Sequence, residues 1–142
     1  MIYQVIYGSS AKQAFSSIDL VELLRKARVN NSRLGVTGML LYHDGNFLQI
    51  LEGEQADVET LLNLISRDTR HSGVLIFYRG YSAEREFGEW SMAFHAVTEE
   101  EWAGLGSGFR QVKSLSDGET QSIMIRMFLR SFRRLTRIEA CP

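Results

Sequence analysis

Tyr7 and Gln49 each place a group that can donate and accept a hydrogen bond on a strand that is otherwise largely apolar. Tyr7 closes the run Ile2-Tyr3-Gln4-Val5-Ile6-Tyr7, and Gln49 sits inside Phe47-Leu48-Gln49-Ile50-Leu51. Side chains alternate along a strand, so Gln49 shares a face with Phe47 and Leu51. A primary amide buried on such a face without partners costs about 1–3 kcal/mol. Two readings stand side by side. Glutamine as a residue type favours a solvated position, whereas its neighbours favour burial with partners. Asn30 and Asn31 also admit two readings. They can end a helix by bonding local backbone, or one amide can point into a cleft. There its donor and acceptor would suit a ring bearing adjacent N–H and C=O groups.

The remaining polar and sulfur-bearing candidates are ordinary one at a time. Asp68, Arg70 and His71 have the composition of a surface ion pair, which contributes little. Trp90 and Met92 match core packing. Glu52, at a strand end, is the acid best placed for acid–base work, and a solvated turn acid is its plainer reading. The sequence contains no G-x-G-x-x-G, no Walker A pattern and no G-x-S-x-G elbow. His43, His71 and His95 are not spaced as zinc ligands, and the single cysteine, Cys141, can form no internal disulfide. No metal site and no catalytic residue is expected.

The elements that would position these residues follow from hydrophobic periodicity. Ile2 to Tyr7 reads as a strand ending at Gly8-Ser9-Ser10. Ser16 and Asp19 have capping-box spacing. Leu20, Leu23, Leu24 and Ala27 then recur as one face of a helix, with Lys26 and Arg28 suited to its dipole and Asn30-Asn31-Ser32 as its stop. Val36 to Tyr42 and Asn46 to Leu51 read as strands joined by Asp44-Gly45. Val58, Leu61, Leu62 and Ile65 mark a second helix, ending near residues 67–71. Val74 to Arg79 and Met92 to Val97 complete the strands.

This order predicts an α+β, ferredoxin-like βαββαββ fold. Right-handed crossovers put both helices on one face of the sheet. An apolar sheet does not leave its other face wet, and the C-terminal third offers a helical cap. Glu99 to Leu105 could form a short helix, and Ile123, Met124, Met127, Phe128, Phe132 and Leu135 recur at helical spacing. The expected boundary divides a core over residues 1–98 from a cap over residues 99–142. Arg126, Arg130, Arg133, Arg134 and Arg137 would line that cap with a basic stripe, read as a solvated face or as a docking surface for an acidic partner.

With 142 residues, 44% of them apolar, and a net charge of -1, the chain suits one globular domain. That balance gives no general pull towards DNA, RNA or anionic lipid. No apolar run reaches the roughly 18 residues of a membrane-crossing helix, and Met1 to Tyr7 lacks the form of a signal peptide. A reducing cytoplasm is the expected home.

Taken together, these residues resemble the BLUF family of flavin-binding blue-light sensors. The resemblance rests on Asn30-Asn31, Gly35-Val36-Thr37-Gly38-Met39-Leu40-Leu41-Tyr42 and Asp44-Gly45-Asn46-Phe47-Leu48-Gln49-Ile50-Leu51-Glu52-Gly53-Glu54. It adds Tyr7, Asp68-Thr69-Arg70-His71 and Phe87-x-x-Trp90-Ser91-Met92, all in the family's order across roughly residues 1–97. It implies that Tyr7 is the photoactive tyrosine and that Gln49 lies between it and the flavin. It implies that Asn31, with Asn30 beside it, bonds the polar edge of the ring. Arg70, supported by Asp68 and His71, would lie near the pyrimidine carbonyl, and Trp90 and Met92 would carry the signal.

The implied function is blue-light reception without catalysis, signalled within an oligomer, a dimer being favoured, or to a separate protein. The implied cofactor is FAD, with FMN and riboflavin sharing the same ring. The alternative is a ferredoxin-like interaction or small-molecule regulatory module with no photochemistry. A small enzyme pairing Glu52 with His43 or His71 is a further alternative.

Overall fold

A computed structural model describes residues 1–12, 15–68, 71–88, 91–96 and 99–100, with the backbone alone at 71, 72, 93, 95 and 96. The described elements run β1 (Ile2–Ala11), α1 (Ser17–Leu34), β2 (Thr37–His43), β3 (Asn46–Gly53), α2 (Gln55–Arg67), β4 (His71–Ser82) and β5 (Ala93–Ala96). They build one sheet in the order β4-β1-β3-β2-β5. The inner pairings are antiparallel, as a ferredoxin-like sheet requires. β5 joins β2 in parallel, from Met39↔Ala93 to Tyr42↔Ala96.

Local chemistry sets most element ends. Ser16 caps α1 through a reciprocal box: Asp19 N–H donates to Ser16 Oγ at 3.1 Å, and Ser16 N–H donates to Asp19 Oδ2 at 3.0 Å. The expected stop at Asn30-Asn31-Ser32 is wrong. α1 runs on to Leu34 and closes on Gly35, whose φ of 66° is the left-handed conformation that favours glycine. Asparagine stops a helix only when its amide turns back on local backbone. Here Asn31 turns its amide inward to another segment, so the helix continues. Asp44 and Gly45, with φ of 43° and 81°, form the two-residue turn between β2 and β3. β4 is longer than the six residues expected, because β1 offers it partners from Ile2 to Ala11.

Both helices lie on one face. Leu24 from α1 and Val58, Leu61 and Leu62 from α2 pack with Tyr3, Val5, Tyr7, Leu40, Phe47 and Leu51 from the sheet. The opposite face is also sealed from water: Ile6, Met39, Leu41, Leu48 and Ile50 are at most 1% exposed. The expected cap over residues 99–142, with its arginine stripe, lies outside the described residues apart from Glu99 and Glu100. Cys141 also lies outside them.

Gly38 shows how closely β2 and β3 approach. A Cβ at that position would overlap the carbonyl oxygen of Ile50. Gly38→Ala is therefore expected to cost about 2 kcal/mol through overpacking. The check is chemical denaturation, and a midpoint equal to wild type would refute the close approach.

Candidate functional site

The antiparallel register sets Tyr7 opposite Gln49 and Gln49 opposite Leu40. All three side chains point to the helix face, and all are buried. The Tyr7 hydroxyl donates to Gln49 Oε1. Gln49 Nε2 donates to Met92 Sδ at 3.3 Å. A fully buried thioether is a weak acceptor, but it completes a continuous path from phenol to amide to sulfur. The amide that the sequence left between solvent and core is buried, with a partner at each end.

Above this path, between α1 and α2, opens a cleft of about 870 Å³, counting the part open to solvent. Tyr7, Gln49 and Leu40 line it from the sheet. Lys26, Asn30 and Asn31 line it from α1, and Asp68 from the end of α2. Leu23, Ala27, Phe47, Leu61, Leu64 and Ile65 make its walls apolar. An apolar slot with a few converging polar groups is the usual form of a small-molecule site.

The end of α1 also grips the segment that carries Met92. Asn31 Nδ2 donates to Ser91 O at 2.6 Å, and Arg28 Nε donates to Met92 O at 3.1 Å. Arg28 was expected only to complement the helix dipole. Its spacing of three from Asn31 puts both on one helix face, which was the signal available in the sequence. Lys26 likewise joins the cleft through position, which periodicity does not rank.

The structure brings together Tyr7, Asn30, Asn31, Gln49, Asp68 and Met92. Arg70 and Trp90 lie outside the described residues, and His71 is described as backbone in β4. Glu52 is a correction: it is fully buried, not solvated. Its alternation with Gln49 puts it on the sheet face away from the helices. It also stands at the opposite end of the sheet from His43, which pairs with Asn46, and from His71, which pairs with Ala11. The six-residue rise from Asn46 to Glu52 is about 20 Å, so no Glu52–histidine dyad forms.

Burial raises the Glu52 carboxyl, opposed by bonds from Glu86 N–H, Gln4 and Phe87 N–H, with the Glu86 charge adding to the rise. Burial also raises the Tyr7 phenol well above the ordinary tyrosine value. Tyr3 is pushed up to about 12 by burial and then by its hydrogen bond to Glu59.

The model of the family described as BLUF, sensors of blue-light using FAD, matches residues 2–93. The chain belongs to the BLUF family. Residues 2–93 are a blue-light sensor domain of that family. Among curated proteins, photoactivated adenylate cyclase subunit beta of Euglena gracilis is 36% identical over 73 residues, which are 51% of this chain and 8% of that protein. The blue light- and temperature-regulated antirepressor BluF of Escherichia coli K12 is 29% identical over 92 residues, 65% of this chain and 23% of that protein. The chain thus matches less than a quarter of either relative's length. Among solved structures, the dark state of the BLUF protein BlrB superposes with a TM-score of 0.73 at 33% identity, covering 92% of this chain and 96% of that one. The BlsA ground state gives 0.70 at 27% identity, over 99% and 95%.

BLUF proteins bind flavin, and the residues present fit that group. An isoalloxazine ring has an apolar edge and a polar edge of alternating carbonyls and ring nitrogens. The cleft matches it with aliphatic walls and with amides that both donate and accept.

The raised phenols predict an alkaline weakness. The unfolded chain releases tyrosine protons near pH 10, at about the ordinary value. The folded chain keeps those of Tyr3 and Tyr7, so above that pH it binds more protons than the unfolded chain and stability falls as pH rises. The thermal midpoint is expected to fall as pH rises from about 10 to about 12, and Tyr7→Phe to shallow that slope. An equal slope in the variant would contradict the raised phenol.

Proposed function

We propose that this chain senses blue light through Tyr7 and Gln49, with the flavin held in the α1–α2 cleft by Asn30, Asn31, Asp68, Arg70 and His71. The observation that carries this reading is the bonded path from the Tyr7 hydroxyl through Gln49 to Met92 on the floor of the cleft. When bound, the flavin supplies blue-light absorption and an excited state that takes up an electron and a proton. Tyr7 is the source of both, and burial keeps its proton on the oxygen until then.

Gln49 is the element that changes. In the dark its Oε1 faces a donor and its Nε2 faces the Met92 sulfur. Rotation of the amide would turn the oxygen towards a sulfur that has no proton to give, which breaks the Nε2–Sδ bond. Tautomerisation would alter the same two contacts without turning the group. Either route frees Met92, and Met92 with Trp90 carries the change towards residues 99–142. The output reaches a second copy of this chain or a separate protein in the cytoplasm. The two relatives, a cyclase subunit and an antirepressor, support a sensor coupled to varied outputs.

The flavin is FAD. The family description supports this form. So does Lys26, an exposed cation lining the cleft and suited to a phosphate. Mass measurement of the extracted cofactor tests it, and FMN or riboflavin as the sole bound form would refute it.

The decisive experiment is a light-minus-dark absorption spectrum. Wild type is expected to show a long-lived red shift. Gln49→Leu is expected to keep flavin uptake and lose the shift, and Tyr7→Phe to lose productive photochemistry while flavin fluorescence lengthens. A normal shift in either variant would overturn the role given to that residue.

A further inference from the structure

Glu52 is a buried carboxylate that the light chemistry does not use, and its position is informative. The chain leaves β4 at Ser82 and re-enters the sheet at Ala93. These strands are the two edges of β4-β1-β3-β2-β5, so the connection between them, described at residues 83–88 and 91–92, has the three other strands to pass. At about 4.8 Å per strand the crossing is roughly 19 Å long. Glu52 stands near the end of the middle strand and meets the crossing partway. Glu86 N–H donates to its Oε2 at 2.7 Å, and Phe87 N–H donates to its Oε1 at 2.8 Å.

The carboxylate is itself held across the sheet. Gln4 and Thr37 are its register partners on either side. Gln4 Nε2 donates to Oε2 at 2.9 Å, and the Thr37 hydroxyl donates to Oε1 at 3.4 Å. Arg85 Nη1 adds bonds to Thr37 Oγ1 at 2.9 Å and to Glu52 O at 3.3 Å. Five residues beyond Phe87 the same segment delivers Met92 to Gln49, a tether of at most about 17 Å.

We propose that Glu52 is a positioning residue: its carboxylate pins the crossing at residues 86–87 and thereby sets how firmly Met92 is held against the Gln49 amide. Two successive N–H groups need two acceptor oxygens, and only a carboxylate offers both. An amide at this position leaves one N–H facing an NH2 group. The inference rests on the reading of Gln49 and Met92 given above.

The test is Glu52→Gln in the flavin-loaded protein. Amide hydrogen exchange at Glu86 and Phe87 is expected to quicken on the order of tenfold, as for the loss of one charge-assisted hydrogen bond. Flavin uptake and the size of the red shift are expected to hold, because Glu52 lies on the other face from the cleft. Dark recovery is expected to quicken by a similar factor, since a looser Met92 lowers the barrier to the amide's return. In a Met92→Ala background, Glu52→Gln should add no further change to recovery, the non-additivity expected of a residue acting through its neighbour.

Unchanged exchange at residues 86–87, or a recovery effect that persists in full without Met92, would overturn the proposal. Should Glu52→Gln fail to fold, Arg85→Ala removes the bonds to Thr37 and the Glu52 carbonyl while leaving the carboxylate paired. It is expected to shift exchange and recovery in the same direction by a smaller factor, and no shift would count as refutation. If wild type shows no red shift, the light reading fails. Exchange at residues 86–87 then decides the clamp alone.

Discussion

A primary amide shut away from water must find its partners within the protein, and those partners then govern what the amide can do. Gln49 is 6% exposed and bonds a phenol on one side and a thioether on the other. Its neighbours along β3 are apolar, so an unpaired amide there would cost about 1–3 kcal/mol. The pairing depends on register. Slipping β1 by one residue would turn Tyr7 to the other face and leave Gln49 opposite Ile6 or Gly8, neither of which offers its amide a side-chain partner. The eight consecutive pairs between β1 and β3 hold that register. The flanking hairpin, closed by Asp44 and Gly45, fixes β2 and β3 in turn.

A polar triple lies on the reverse of the same three strands. Gln4, Glu52 and Thr37 face away from the helices, as Tyr7, Gln49 and Leu40 face towards them. The crossing between β4 and β5 touches both sets. It accepts the grip of Glu52 at residues 86–87 and of Asn31 and Arg28 at residues 91–92. A change at Gln49 therefore meets a segment anchored on both sides of the sheet. Anchors of this kind limit motion to a few discrete arrangements, which suits a two-state element better than a flexible loop does.

The cleft owes its shape to where α1 stops. A helix ending at Asn30 would have left the second asparagine in a loop. Ending at Gly35 instead, α1 keeps Arg28 and Asn31 on one rigid face that reaches the crossing. Asn31 also lines the cleft, so one side chain belongs both to the cleft wall and to the hold on the segment that carries Met92.

Much of this was legible in the chain itself. The period-2 and period-3.6 patterns, the Ser16–Asp19 box and the Asp44-Gly45 turn located the strands and helices, and their order implied two helices on one face. Those signals are local, so a linear reading captures them. Tyr7 and Gln49 could also be singled out, because a polar residue in apolar company is visible in one dimension; Asn31, flanked by Asn30 and Ser32, stood out only through the family resemblance. Whether each amide faced water or core was not visible there. Burial is decided by what meets a position in space, and for Gln49 that includes Tyr7 and Met92, both more than 40 residues away in sequence. Glu52 shows the same limit most plainly. Beside a Gly-Glu pair it looks like a turn acid, and only the path of a connection some 35 residues later encloses it. Composition and periodicity determine which elements form and which faces are apolar. Tertiary structure alone decides which polar groups meet, because that depends on strand order and on distances between segments that no local pattern contains.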